Sequence, residues 1–544
     1  MKPGRTFLFV VTVFLLLLVI GWLFPKGGIP LAEDLTLRFA QPGSFFSRDT
    51  VAYSDVSGLL AMSSVTEDPE EVLTGEQIPG AGVPGAMQPG AVQPGAAHPG
   101  TMRPGTVQTN GVRSAGALPD SAFPAAILPG ILLAGSDTSP AVNTDSLVQV
   151  HIDSVKKHIH EIEFTPDGRE LLTHFFQRAE AARSDSIPLR VLHYGDSQIE
   201  NDRMTALLRY RLQRVFGGSG CGMVPAIPLY SGNPAFVESY TGDWQRYTGF
   251  GRRDSTLDHN RYGSMVCFTS VPPVMQEQWP SLEFAFRPGR RASRFARIRI
   301  FLHAYADSNA LEFTINDTLR DTIRFVRGGF RAVDYPVPGK AEKVEIALGL
   351  RKGGRVYGIS FDPEQGLQVD NMAMRGSSGL EFTRTDSALF MKMTRAINPG
   401  LILMQFGGNV VPYIENADYY SATFLRELTH LKELFPDVPV IVLGPSDMSR
   451  KQGGRFVTWE TLEPVRDALR KAALEAGFAF WDLYRAMGGK NSMPSFVMAD
   501  PPLATSDYIH FTPRGANLVA EMFYKALMLE YERYRVLAAA DKKK

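Results

Sequence analysis

The sequence has little cysteine and no net charge. Its 544 residues include two cysteines, Cys221 and Cys267, too few for a disulfide framework or a zinc site built from thiolates. A single bridge and two buried free thiols are both compatible with the sequence. Lysine plus arginine and aspartate plus glutamate each number 57, and the longest basic block is the lysine run at residues 542–544. This balance argues against nucleic acid as a partner, because nucleic acid is held by an excess of positive charge.

Long apolar runs are also rare, and the one that stands out lies at residues 6–24. Its 19 uncharged residues can span a bilayer, and no small-residue cleavage site follows them. Lys2 and Arg5 precede the run, so the positive-inside rule predicts a cytoplasmic N-terminus. Residues 1–26 are therefore predicted to be a cytoplasmic tip and an uncleaved transmembrane anchor. The rest of the chain is then expected in the periplasm or outside the cell, held by a single span in a bacterial inner membrane.

Residues 27–145 contain no pattern that predicts a packed core. Between residues 78 and 107 a pentad centred on Pro-Gly occurs six times, as IPGAG, VPGAM, QPGAV, QPGAA, HPGTM and RPGTV. Proline removes backbone donors, glycine raises the entropy cost of ordering, and the apolar side chains are too small to compensate. We interpret this stretch as a disordered extracytoplasmic tether; low-complexity sequence without a role is the alternative.

Strand and helix patterns alternate in two stretches, residues 146–230 and 371–535. Such alternation predicts an α/β fold with a mainly parallel sheet and helices on both faces. Residues 231–370 instead carry short alternating runs separated by polar and glycine turns, which predicts an inserted antiparallel β-sandwich. The chemistry is expected at the carboxyl ends of the parallel strands, where sites form in such sheets.

Ser197 stands at one of these strand ends, directly after the apolar run that leads into Gly195-Asp196. A serine hydroxyl needs a base in hydrogen-bond contact and an acceptor that orients the base. His510 is the one histidine among the ten in the sequence with an aspartate, Asp507, three positions before it. We therefore predict a catalytic triad of Ser197, His510 and Asp507. The alternative is that Asp507 caps a local turn and His510 is a surface histidine.

An attacked ester also forms an oxyanion, which needs preorganised hydrogen-bond donors. The candidates are the Ser197 backbone N–H, the side-chain amide of Asn409 after a strand, and a backbone N–H from the glycines at 376 and 379. Each candidate glycine or asparagine could equally serve turn geometry.

The segments Gly195-Asp196-Ser197, Gly376, Gly407-Gly408-Asn409 and Asp507 to His510 follow the order of the four sequence blocks of the SGNH/GDSL hydrolases. The chain resembles that family over about residues 160–230 and 370–530. The resemblance implies a three-layer, flavodoxin-like α/β/α sandwich and an oxyanion hole formed by Ser197, Gly376 and Asn409, with Gly379 competing for the place of Gly376.

The wide gap between the first two blocks, filled by a β-rich insert, is similar to bacterial peptidoglycan O-acetylesterases, in which a domain like a carbohydrate-binding module interrupts the hydrolase. In one respect the chain departs from the family. Many members have an acidic residue after the asparagine of the third block, where this sequence has Val410.

These patterns predict an envelope-anchored serine esterase that removes O-acetyl groups from a polysaccharide, with peptidoglycan as one candidate. Two alternatives stay open: a polysaccharide O-acetyltransferase with the same triad, and a glycan-binding scaffold with a vestigial core. No cofactor is expected. His158 and His160 alone do not make a metal site, and no ligand cluster supports calcium in the insert. His193 is expected to be a buried, hydrogen-bonded core residue.

Overall fold

The computed structural model describes residues 29–32, 35–37, 53–54, 159–229, 232–274 and 278–541. The predicted membrane anchor, the pentad repeats and His158 lie outside these residues. Within them, no helix is both long and apolar enough to cross a bilayer. The elements that precede the β-rich region are β1 (Ile29–Ala32), β2 (Leu35–Leu37), β3 (Glu163–Phe164), α1 (Pro166–Ala181), β4 (Leu189–Gly195) and α2 (Thr205–Phe216).

Helix α2 shows how local sequence sets the limits of an element. Its apolar side chains, among them Leu208 and Leu212, recur at helical spacing and are buried. The helix ends where Gly217 adopts a positive φ of 75°, a conformation that glycine reaches without steric cost. The spacing of the apolar residues and the two glycines that follow them predict both the helix and its end from the sequence alone.

The β-rich region forms two antiparallel sheets that pack face to face. Their strands are β5 (Gly222–Val224), β6 (Phe236–Thr241), β7 (Gln245–Thr248), β8 (Cys267–Val271), β9 (Ser281–Phe286), β10 (Arg297–Ala304), β11 (Asn309–Ile315), β12 (Leu319–Phe325), β13 (Gly329–Pro336), β14 (Lys343–Gly349) and β15 (Gly354–Asp362). One sheet has the order β13-β10-β15-β8-β7, with β5 paired to β15, and the other has the order β12-β11-β14-β9-β6. A shared core includes Phe284, Phe313 and Phe361, and the Phe313 ring stacks on Tyr335 at a centroid distance of 4.2 Å.

The remaining elements complete the α/β part of the chain, which contains a mainly parallel sheet and a separate hairpin of β19 and β20. They are β16 (Leu367–Ala373), α3 (Ser387–Ala396), β17 (Pro399–Gln405), α4 (Ala417–Leu434), β18 (Val440–Leu443), β19 (Ser449–Gln452), β20 (Arg455–Thr458), α5 (Leu462–Glu475), β21 (Ala479–Trp481), α6 (Leu483–Ala486), α7 (Ser492–Met498) and α8 (Pro513–Asp541). The sheet order is β16-β4-β17-β18-β21-β3, and only β3 runs antiparallel to its neighbour. The five parallel strands therefore have the 2-1-3-4-5 order of flavodoxin-like sheets.

Alternate residues of these strands face two separate cores. Val191 and Leu403 pack with α1, α2 and α8, whereas Leu192 and Ile402 pack with α3, α4 and α5. Strands buried on both faces appear as continuous apolar runs in the sequence, which is why they could be found there. The predicted mixed α/β class, with helices on both faces of a mainly parallel sheet, is confirmed.

Two strands cross the predicted limits of the insert. Strand β5 pairs with the sandwich strand β15, although residues up to 230 were assigned to the α/β part. Strand β16 starts at Leu367, inside the predicted insert, and pairs in parallel with β4. Strand β5 has only three residues, which is too short to show a pattern in the sequence. Strand β16 mixes polar and apolar residues, as antiparallel strands with one exposed face do. Cys221 and Cys267 are both buried and unpaired, so the free-thiol alternative holds.

Candidate active site

Ser197 lies where the central strand β4 ends at the carboxyl edge of the sheet. The turn after the strand is tight, because a Cβ at Gly195 would lie 3.0 Å from the Gln405 carbonyl oxygen of the neighbouring strand β17. The Asp196 N–H donates to that same carbonyl at 3.3 Å, which holds the turn against β17. The side chain of Ser197 therefore stands at the sheet edge where α/β proteins bind ligands.

His510 and Asp507 come from the loop that precedes α8, 313 residues after the serine. The Ser197 Oγ lies 2.8 Å from His510 Nε2, and His510 Nδ1 lies 2.7 Å from Asp507 Oδ2. Because a carboxylate can only accept, Nδ1 carries the ring hydrogen and Nε2 is left to accept the serine O–H. The three residues thus form a hydrogen-bonded relay in which His510 can take the serine proton, while the Asp507 carboxylate orients the ring and stabilises its protonated form without taking a proton itself.

The second oxygen of Asp507 fixes the loop. Asp507 Oδ1 accepts from the N–H groups of Ile509 and His510 at 2.9 and 3.0 Å and from the Thr505 hydroxyl at 2.6 Å. Partial burial raises the pKa of Asp507, but the bonds from the His510 ring, Thr505 and these backbone groups outweigh it, so its pKa lies well below the ordinary value. The carboxylate therefore stays charged throughout the neutral range. Asp507 can therefore cap the local turn and orient His510 at the same time, because its Oδ1 accepts from the turn and its Oδ2 contacts the His510 ring.

Asn409 contacts Asp196, its neighbour across the site. Its Nδ2 donates to Asp196 Oδ2 at 3.1 Å and to the Ser377 carbonyl oxygen at 3.0 Å, which accounts for both amide hydrogens. Burial raises the pKa of Asp196 to about 6, against the opposing effect of bonds from the Gln198 N–H and Asn409. The predicted oxyanion contact of Asn409 would require one of these two bonds to be given up. Val410, at the position of the family's acidic residue, packs partly buried on an apolar core.

The two competing glycines have different surroundings. The Gly379 N–H donates to Ser377 Oγ at 2.9 Å, and a Cβ at this position would lie 2.8 Å from the rings of Phe406 and Phe424. Gly376 is exposed with a φ of 77°, and a Cβ there would meet no atom within 4 Å. Gly379 is thus engaged in packing and turn geometry, and Gly376 is the better candidate for an oxyanion donor.

Two side chains that sequence reasoning missed connect the nucleophile to its surroundings. Gln198 Nε2 donates to the Ile509 carbonyl oxygen at 2.7 Å and to Ser446 Oγ at 3.2 Å, joining the serine turn to the histidine loop. An Arg203 guanidinium nitrogen donates to the Ser197 carbonyl oxygen at 2.7 Å. The partners of Gln198 lie 248 and 311 residues away along the chain, so no local pattern indicated its contacts. Arg203 bonds to a carbonyl group only six residues away, but no sequence pattern distinguished this arginine from others.

A short hairpin of β19 and β20 supports the histidine loop. Tyr508 has a positive φ of 60°, and its ring stacks on Phe456 of β20 at a centroid distance of 3.5 Å and an angle of 7°. The Ser449 N–H donates to the Tyr508 carbonyl oxygen at 3.0 Å. A left-handed conformation is costly for a tyrosine and persists only where the surroundings impose it. The hairpin supplies that constraint one residue away from the relay.

The other histidines considered have structural surroundings. His193 Nε2 lies 3.1 Å from Gln405 Oε1 and its Nδ1 lies 3.0 Å from the Thr205 hydroxyl. Burial lowers the pKa of His193 to about 4, so it is neutral, and the predicted core role agrees with these contacts. His160 offers its carbonyl oxygen to the Trp481 indole. In the part of the chain that the structure describes, no group of three potential ligands could hold a metal ion.

Comparison with known proteins identifies the fold. No family model and no curated protein match the chain. Among solved structures, a peptidoglycan O-acetylesterase aligns at 20% identity over 66% of this chain and 96% of its own, with a TM-score of 0.54. A family two carbohydrate esterase from Cellvibrio japonicus aligns at 9% sequence identity over 54% of this chain and 99% of its own, with a TM-score of 0.22. A putative GDSL-like lipase from Parabacteroides merdae aligns at 16% sequence identity over 30% of this chain and 73% of its own, with a TM-score of 0.24. Only the first similarity is strong enough to support an argument.

The chain therefore has the α/β fold of a solved peptidoglycan O-acetylesterase, and this agrees with the resemblance that its sequence motifs indicated.

Proposed function

We propose that this protein is a serine esterase that removes O-acetyl groups from a cell-envelope or extracellular polysaccharide, with peptidoglycan as the first candidate. The observation that carries the proposal is the continuous contact from Ser197 Oγ through the His510 ring to Asp507. Similarity in fold to a peptidoglycan O-acetylesterase supports the choice of an acetylated glycan. The apolar run at residues 6–24 supports an envelope location with the site on the outer side of the membrane.

In the proposed reaction Ser197 Oγ attacks the acetyl carbonyl while His510 Nε2 takes its proton. The tetrahedral oxyanion is bound by the Ser197 and Gly376 N–H groups and by Asn409 once it releases a partner. His510 then gives the proton to the sugar oxygen, and the alcohol leaves acetyl on the serine. Water, deprotonated by His510, attacks this acetyl-serine, releases acetate and restores the hydroxyl.

Acetate release from the full chain, measured over a panel of O-acetylated polysaccharides and a small acetyl ester, tests this function. Ser197→Ala is expected to reduce the rate by about 10⁴-fold, while the matched change Ser184→Ala at an exposed serine should leave it unchanged. No acetate from any substrate, or full activity in Ser197→Ala, would reject the proposal. If mass instead accumulates on an added glycan acceptor, the protein is an acetyltransferase. Absence of Ser197 labelling by a fluorophosphonate would favour the binding scaffold.

A further inference from the structure

Ser54, far upstream of the α/β domain in the sequence, contacts it closely. Ser54 lies against the loop at residues 488–495, which comprises the end of the connection from α6 and the first turn of α7 and lies more than 430 positions later in the sequence. Ser54 Oγ lies 2.9 Å from the Gly488 carbonyl oxygen and 2.8 Å from that of Lys490. The Ser54 N–H points to the Asn491 carbonyl oxygen at 3.4 Å, and Ser495 Oγ donates to the Ser54 carbonyl oxygen at 2.6 Å. Every polar group of Ser54 thus has a partner in this loop.

The loop is shaped to receive a small residue. Gly488, Gly489 and Asn491 all adopt positive φ values, of 113°, 73° and 63°, which curl the chain so that carbonyl groups from residues 488, 490 and 491 reach one serine. A Cβ at Gly488 would lie 3.4 Å from the Ser54 Cβ, so a side chain there would crowd the contact. A larger side chain at position 54 would be crowded by the same residue.

The loop is in turn bonded to the framework of the active site. Asn491 exchanges two hydrogen bonds with Thr458 of β20, its N–H reaching Thr458 Oγ1 at 2.7 Å and its Oδ1 accepting from the Thr458 N–H at 3.0 Å. The Thr458 hydroxyl donates to buried Asp447, which also accepts from the Met493 N–H. Strand β20 is the one whose Phe456 stacks on Tyr508 beside His510.

We infer that residues 488–495 are a docking site for this chain's own N-terminal segment at residues 53–54. Ser54 completes hydrogen bonds to these residues that solvent would otherwise have to supply. The partner is recognised as a backbone with one small hydroxyl side chain, bound through both its N–H and C=O and through its Oγ. This inference goes beyond the proposed esterase function and does not depend on it.

Amide hydrogen exchange on the full chain tests the docking. Ser54→Ala and Ser495→Ala should each raise exchange at the amides of Asn491 and Thr458 by about two- to tenfold, the worth of one net hydrogen bond. The double variant should exchange little faster than either single variant, because both changes undo the same contact. Ser184→Ala, whose hydroxyl bonds only within its own turn, is the control. Unchanged exchange in all variants, or fully additive effects, would overturn the inference.

Photo-crosslinking locates the partner directly. With Tyr53 replaced by benzoylphenylalanine, crosslinks in the full chain should map to peptides around residues 484–499 and stay within one molecule, as read from the mass. Adding Ser54→Asp, which places a charge against the carbonyl oxygens of Gly488 and Lys490, should abolish them. Crosslinks spread over the chain would overturn the docking site, and crosslinks that join two molecules would overturn its intramolecular form.

Discussion

At the scale of single residues, Gln198 connects the two halves of the relay. Its side chain is buried and donates to the carbonyl of Ile509, the residue directly before His510. A residue that holds His510 in register without reaching substrate should affect the chemical step more than binding.

We therefore expect Gln198→Leu to lower kcat for a small acetyl ester by about five- to tenfold with little change in KM, because both side-chain hydrogen bonds are lost and His510 is held less firmly in position. Steady-state kinetics and the rate of fluorophosphonate labelling of Ser197 measure the effect. Ser446→Ala removes only the weaker hydrogen bond of Gln198, at 3.2 Å, and should lower kcat by less than twofold. An increase in KM with an unchanged kcat would show that Gln198 acts on binding instead.

Glu238, on β6 of the sandwich, gives a prediction about pH. Burial raises the pKa of Glu238 from 4.5 to about 7. A carboxyl group with a raised pKa in the folded state favours folding at low pH, and this contribution is lost as the pH rises from about 4.5 through 7. Glutamine does not ionise, so Glu238→Gln should not lose this part of the unfolding free energy as the pH rises. The unfolding free energy of the variant should therefore exceed that of the unmodified protein by an amount that grows across this range, up to about 2 kcal/mol at pH 8.

Thermal or urea unfolding at pH 4, 6 and 8 measures this difference. Glu364→Gln, at an exposed glutamate, should show no such pH-dependent gain. A gain of equal size at pH 4 and pH 8 would mean that charge is not its cause.

At the scale of elements, sequence reasoning worked where a pattern is local. The buried strands β4, β17 and β18 are continuous apolar runs, and helix α2 has both its apolar face and its terminal glycine in one short window. The prediction of Ser197, His510 and Asp507 as a triad also used local signals, since Asp507 and His510 stand three positions apart and Ser197 follows a recognisable strand. The structure brings these three side chains into contact.

What sequence reasoning missed depends on contacts between distant segments. The β19–β20 hairpin has short, largely polar strands, so neither length nor alternation marks it. Three further contacts also join residues that are far apart in the sequence. They are the hydrogen bonds of Asn409 to Asp196 and Ser377, the bond of Gln198 to Ile509, and the bonds of Ser54 to residues 488–495.

The hairpin's contact with Tyr508 yields the prediction at this scale. Phe456→Ala removes the ring that stacks on Tyr508, so the left-handed residue loses part of its constraint and the histidine loop gains freedom. We expect kcat to fall by about tenfold. Phe456→Tyr should preserve the stacking and the activity. Val457→Ala, next to it in the same strand, is the control for general loosening of the hairpin, and an equal loss in that variant would contradict a specific role for the ring.

At the scale of the whole molecule, a buried ion cluster joins the central sheet to the sandwich. Arg190 of β4 donates to both oxygens of Asp370 on β16, at 2.8 and 3.0 Å, and to Ser360 at 3.0 Å and Asp362, both on β15. Arg190 and both aspartates are almost fully buried. Burial alone would lower the pKa of Arg190, but the two carboxylates outweigh it and keep the guanidinium charged. One cation thus holds a carboxylate from each of the two sheets.

Arg190→Met should therefore leave two buried carboxylates without their cation and cost about 3 to 5 kcal/mol of unfolding free energy at pH 7. Unpaired buried carboxylates have raised pKa values, so protonation relieves them and the deficit should shrink as the pH falls towards 5. Urea unfolding at pH 5 and pH 7 measures both effects. The triple variant Arg190→Met with Asp362→Asn and Asp370→Asn removes the unpaired charges and should recover a large part of the loss. If the triple variant were as unstable as the single one at pH 7, packing around the arginine side chain, and not its charge, would be what joins the sheet to the sandwich.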